Sequence, residues 1–87
     1  SNNQLRLVVN LCALAELEMQ QNRLDSAIGI AQEALAVALD IEDGNEIADA
    51  YRIMGRSYHL KKDYSSAEKY LLTARDSAHS YGIAWLM

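Results

Sequence analysis

The chain has 87 residues, 51% of them hydrophobic, contains no proline and carries a formal charge of −4 at pH 7. That length limits it to one domain, and the acidic balance argues against nucleic acid as a partner, because phosphate-binding domains are normally basic. No apolar run approaches the ~18 residues of a membrane span and no secretory signal pattern is present. The single cysteine, Cys12, cannot close an internal disulfide, which points to a reducing, cytoplasmic setting.

Ala, Leu, Glu and Gln are abundant and favour helix throughout. The first helical pattern runs from Gln4 to Gln20. Leu5, Val8, Leu11 and Ala15 make one stripe and Leu7, Leu11 and Leu14 another, which predicts a helix buried on two sides. Gln21-Asn22-Arg23 reads as a turn. A second helix runs from Leu24 through Ala27, Ile30, Ala31, Ala34, Leu35 and Ala38 to about Asp40. In the segment Ile41-Glu42-Asp43-Gly44-Asn45, Gly44 is a helix-stop residue and Asn45 an N-cap for the third helix.

In the third helix Tyr51, Met54, Gly55 and Tyr58 share one face. Gly55 is a poor helix former, so its place among large residues predicts close approach by a neighbouring helix. The fourth helix spans about Tyr64 to His79 or Ser80, with Gly82 ending it and Tyr64, Ala67, Leu71 and Ala74 forming a matching stripe. Asp63 can cap this helix, while Ser65 with Glu68 has capping-box spacing one turn further in, and the spacing does not choose between them.

Sliding the first half forward by 40 residues lays Leu11 on Tyr51, Leu14 on Met54, Ala15 on Gly55, Leu24 on Tyr64, Ala27 on Ala67 and Ala34 on Ala74. The chain is an internal repeat. Its first copy departs in two places, with Glu18 where Tyr58 stands and Ala31 where Leu71 stands. Tyr51, Met54, Gly55, Tyr58, Ala67, Leu71 and Ala74 stand at the intervals of the tetratricopeptide repeat, a helix-turn-helix unit of about 34 residues that this chain resembles. The family's proline near the end of the second helix is missing, and His79 stands near its place.

The 40-residue period is similar to that of a long-period subtype seen in bacterial peptide-sensing regulators and kinesin light chains. The excess is assigned to longer second helices and to segment 41–45. The resemblance implies an all-α fold, a right-handed α-α superhelix of two helical hairpins. One domain would cover 1–87, with repeat 1 at about 5–42, repeat 2 at about 45–82, and residues 83–87 opening a further repeat.

The chemistry-bearing residues show no catalytic pattern. His59 and His79 lack a second His or Cys at the spacing of a metal site. Cys12 has no His or basic neighbour in sequence and reads as a buried thiol. Asp40, Glu42, Asp43 and Glu46 form an acidic run without the 12-residue calcium pattern. There is no nucleophile elbow and no glycine-rich phosphate loop. The expectation is a non-enzyme with no catalytic residues, no metal and no cofactor.

The resemblance implies that the first helix of each repeat lines a concave groove for a peptide or partner segment. In that register the groove positions are Val9, Cys12, Glu16, Met19 and Gln20 in one copy and Asp49, Arg52, Arg56, His59 and Leu60 in the other. Glu16, Met19, Asp49, Arg52, Arg56 and His59 are the expected contact residues. Independently of the family, Asp49, Arg52, Arg56 and His59 make a polar stripe, and arginine offers a planar fork for a carboxylate or carbonyl. The competing reading is a solvated face in which Asp49 pairs with Arg52 or Arg56. The family's basic-and-asparagine clamp for a C-terminal carboxylate is not reproduced, since Cys12 and Glu16 occupy its places.

Ile83-Ala84-Trp85-Leu86-Met87 is either a tail folded back on the core or the opening of another repeat, since Ile83-Ala84 echoes Ile47-Ala48. Repeat arrays need a polar cap at each end, and neither the first helix nor this tail is one. A chain drawn from a longer array is therefore expected, one that covers its ends by self-association through Ile83, Trp85, Leu86 and Met87. Two functions fit this pattern: a protein-interaction module of a larger regulator or adaptor, or a structural, oligomerisation or sensory input segment with an empty groove.

Overall fold

A computed structural model describes residues 2–80. Four helices succeed one another: α1 (Asn2–Gln20), α2 (Leu24–Asp40), α3 (Gly44–Leu60) and α4 (Tyr64–Ser80), with no strand among the described residues. The fold is all-α and consists of two helical hairpins. Ile83, Trp85, Leu86 and Met87, and with them the expected opening of a further repeat, lie outside the described residues.

One connector is used three times. Asn22, Glu42 and Lys62 take the left-handed conformation, with φ of 64°, 54° and 68°. Around them the Arg23 amide donates to the Glu18 carbonyl at 2.8 Å, Asp43 to Ala38 at 3.1 Å and Asp63 to Tyr58 at 2.9 Å. The Asn22, Glu42 and Lys62 amides donate to Met19, Leu39 and His59. These are the paired bonds of a Schellman motif, which satisfies the last carbonyls of the preceding helix. The third connector residue then starts the next helix, because the Arg23, Asp43 and Asp63 carbonyls accept from the Ala27, Ile47 and Ala67 amides.

These connectors correct two expectations. Gly44 does not stop a helix and Asn45 does not cap one; both lie inside α3. The cap is Asp43, whose carboxylate accepts from the Glu46 amide at 3.2 Å. Segment 41–45 is therefore no longer link, and the extra length resides in helices of 17 residues. For α4, Asp63 wins over the Ser65 alternative by accepting from the Ser66 amide at 3.2 Å. Arg23 supplies no side-chain cap to α2.

Each hairpin closes on itself, and the two meet where α2 packs against α3, with α1 touching α3 beside that seam. The alanine stripe of α2 (Ala27, Ala31, Ala34 and Ala38) is fully buried, so the helix axes come close. The expected approach at Gly55 is present: a Cβ there would lie 2.7 Å from Leu71 Cγ and 3.2 Å from the Leu71 backbone nitrogen. In the first hairpin, Ala15 and Ala31 occupy the equivalent places, both buried. Glycine against leucine is thus traded for alanine against alanine. Tyr70 stacks between Tyr51 at 6.2 Å and Tyr58 at 5.5 Å. Tyr64 departs from its stripe, being mostly exposed and set edge-on to His59.

Burial of α1 on two sides is not what the fold provides. Val8, Cys12, Ala15 and Met19 face the core, whereas Leu7, Leu14 and Leu17 are exposed by 48%, 45% and 48%. Only one of its two apolar faces has a helix to pack on among the described residues. Among the described residues, no helix is long and apolar enough to cross a membrane.

Candidate binding groove

The side of the molecule where α1 and α3 run next to each other gathers three of the expected groove residues into one ion-pair cluster. Arg52 on α3 donates to Asp49 Oδ1 through Nη2 at 2.5 Å and Nε at 3.1 Å. Its Nη2 also lies 3.6 Å from Glu16 Oε1 on α1. Asp49 and Arg52 are one turn apart on α3, so helix geometry alone lets them meet; Glu16 joins because the hairpins pack side by side. Burial pulls the Arg52 guanidinium pKa down, but the hydrogen bond and charge of Asp49, with those of Glu16, outweigh it and leave it raised. The arginine is firmly cationic and held by carboxylates from two helices.

Beside this pair sits a group that sequence reasoning missed. Cys12 on α1 and Glu46 and Asp49 on α3 place one sulfur and two carboxylate oxygens within 4.8 Å of one another. Burial, then the charges of Asp49 and Glu46, push the Cys12 thiol up to about 12. Burial, then the charges of Asp49 and Asp43, raise the Glu46 carboxyl as well, with the Cys12 hydrogen bond opposing. A thiol kept protonated this way is a poor nucleophile and a weak metal ligand at neutral pH, since the thiolate is the reactive and ligating form. The one available signal was the spacing of Glu46 and Asp49, which puts both on one face of α3; that Cys12 lies opposite depends on how the hairpins stack.

The other expected positions divide. Met19 and Cys12 are corrected to core residues, each only 4% exposed. Cys12 belongs to the buried cluster shared by α1, α2 and α3, and Met19 is turned inward as well. Arg56 and His59 are exposed on α3. With Leu60 and Leu71 they line a cavity of about 340 Å³. Among the described residues Arg56 makes no ion pair, in contrast to Arg52. The α1–α3 side thus carries Glu16, Glu46 and the neutralised Asp49–Arg52 pair, while Arg56, His59 and Leu60 of α3 line a cavity with Leu71 of α4.

Residues 6–78 match a family model described as Tetratricopeptide repeat. No curated protein and no solved structure matches the chain.

Proposed function

The chain belongs to the tetratricopeptide repeat family, whose repeats generally mediate protein–protein interaction, and on that premise we propose that it binds an extended peptide or partner segment along the α1–α3 groove. The observation that carries this reading is the contrast between the two arginines. Arg52 is locked into the wall by Asp49 and Glu16, while Arg56 stands unpaired among the described residues at the rim of the cavity. A ligand carboxylate or carbonyl would take the Arg56 fork. An aliphatic side chain would rest on Leu60 and Leu71, and a basic group would lie toward Glu16 and Glu46. Arg52 and Asp49 hold the wall in shape. The same reading places the chain in the cytoplasm and in a long-period array with a right-handed turn.

The test uses an array of immobilised peptides that sample carboxylate, aliphatic and basic residues, probed with wild type and with Arg56→Ala. Loss of one charge-assisted hydrogen bond is worth about 1.5–3 kcal/mol, so the variant should lose roughly tenfold or more in affinity for the peptides that wild type selects. Its helicity and melting temperature should not change, because Arg56 is exposed. An array on which both proteins bind alike, or on which wild type binds nothing, would overturn the groove reading and leave the structural or sensory segment as the better account.

A further inference from the structure

We propose that the contact between α1 and α3 is a pH-operated latch between the two hairpins, tightened when Glu46 takes a proton and donates a hydrogen bond to Asp49. Cys12 of α1 and Glu46 and Asp49 of α3 hold one sulfur and two carboxylate oxygens within 4.8 Å of one another. The two acids are one turn apart on the same helix, where like charges repel. Carboxylates that share a site this closely are most stable with one proton between them. Cys12 is buried and the acids are half-buried, so solvent screens their repulsion poorly. If α1 lifts away, both acids return to water, where each keeps its charge. The charge on Glu46 therefore favours the open seam and its proton the closed one. Both hairpins belong to the chain, so this contact is complete whatever stands before α1 or after α4.

Arg52 does not relieve the repulsion on Glu46. It is spent on Asp49 and on Glu16 of α1, and Glu46 makes no ion pair among the described residues. The groups facing Glu46 are Cys12 from α1, Asp43 from the connector after α2, and Asp49 from α3 itself. The last acid of α2, Asp40, accepts instead from the Gln4 amide of α1 at 3.1 Å. Both Arg52 bonds fall on Asp49 Oδ1, which leaves Oδ2 able to accept from Glu46. The duplication does not demand these acids, because α1 carries Arg6 and Val9 at the equivalent places.

Two effects favour the charged form of Glu46. It stands in the first turn of α3, at the positive end of the helix, and the Cys12 thiol donates to its carboxylate. Burial, then the charges of Asp49 and Asp43, outweigh both and raise the Glu46 carboxyl above the ordinary glutamate range. Cys12, pushed up to about 12, remains a thiol and a donor throughout. A carboxyl raised by folding stabilises the docked state when protonated. That stabilisation is complete below the ordinary range, about 4.3, and is lost as pH rises through the raised value. Mild acid thus tightens the seam, opposite to the usual behaviour of a paired carboxylate. The latch works within one chain, with or without a peptide in the groove.

Carbon-13 NMR of the Glu46 carboxyl and hydrogen exchange of the 87-residue chain test it together. The carboxyl should titrate above a glutamate in an unfolded peptide. Over the same interval, protection of the Val8, Cys12 and Ala15 amides, corrected for intrinsic exchange and referred to α4, should rise several-fold. Glu46→Gln, neutral and of the same shape, should show that higher protection already at neutral pH and lose the rise. Cys12→Ser offers a stronger donor in the same place, so the Glu46 midpoint should move down, a shift that a merely packed thiol would not produce. A Glu46 midpoint at or below the unfolded reference, α1 protection that stays flat, a Glu46→Gln variant that exchanges like wild type at neutral pH, or an unmoved midpoint in Cys12→Ser would each overturn the proposal.

Discussion

Gly55 and Leu71 form a pair in which one side chain exists only because the other does not. A methyl group on Gly55 would gain about 1 kcal/mol of helix propensity. It would also sit 2.7 Å from Leu71 Cγ and 3.2 Å from the backbone of α4. The leucine tip can rotate away, but the backbone cannot retreat without parting the two helices, and overpacking of this kind costs about 1–3 kcal/mol. Gly55→Ala should therefore destabilise by roughly 1 kcal/mol. Leu71→Ala, at a residue 39% exposed, should cost a similar amount. The double variant reproduces the Ala15 and Ala31 pair of the first hairpin, so its loss should fall short of the sum of the singles by about 0.5 kcal/mol or more. Urea unfolding of the three variants measures this, and strict additivity would show that the contact is not what sets the residue.

At the scale of the element, the connectors recur at twenty-residue intervals with non-glycine residues in the left-handed conformation. That conformation costs most residues about 1–2 kcal/mol, while asparagine tolerates it better than the others. Glycine there removes the strain but adds about 0.5–1 kcal/mol of unfolded-chain entropy. Glu42→Gly and Lys62→Gly should each stabilise by roughly 0.5–1 kcal/mol, and Asn22→Gly by less. Thermal melts that rank the three otherwise would mean that side-chain contacts, not backbone strain, decide these turns. The caps act at the same scale. Asp43 and Asp63 satisfy a helix N-terminus with a side chain, while Arg23 leaves α2 to its backbone bonds alone.

At the scale of the whole molecule α3 is the central element. It packs on α2 and α4 and touches α1, and it buries Ile47, Ala50, Ile53, Met54, Gly55 and Ser57. Global unfolding has to expose it, whereas α1, packed on α2 and touching α3 along one side, can peel away first. In dilute protein the amides of Ile53 and Met54 should exchange slowest, and those of α1 faster by at least about tenfold, equivalent to roughly 1.4 kcal/mol. Equal protection across all four helices would indicate a single cooperative unit with no weak end. On the proposed reading, the arrangement also joins structure to binding. The helix that carries Asp49, Arg52, Arg56 and His59 is the most enclosed one, so the groove is mounted on the part of the fold least prone to open.

Residue order alone determined the helices, the turn at residues 21–23, the duplication, the family and the close approach at Gly55, because periodicity and backbone preference are local and survive without knowledge of neighbours. The cap was misread at Asn45 since a glycine at 44 looks like a stop, and only the chain path showed that Glu42 takes the left-handed turn instead. Tertiary structure decided what local pattern cannot encode, namely which of two apolar faces meets another helix. Leu7 and Leu14 are as apolar as Ile47 and Met54, yet one pair is open and the other sealed, for no reason but the presence of α2. The same stacking brings Cys12 against Glu46 and Asp49, residues on a different hairpin, and it spends Arg52 on its neighbours while leaving Arg56 at the cavity rim.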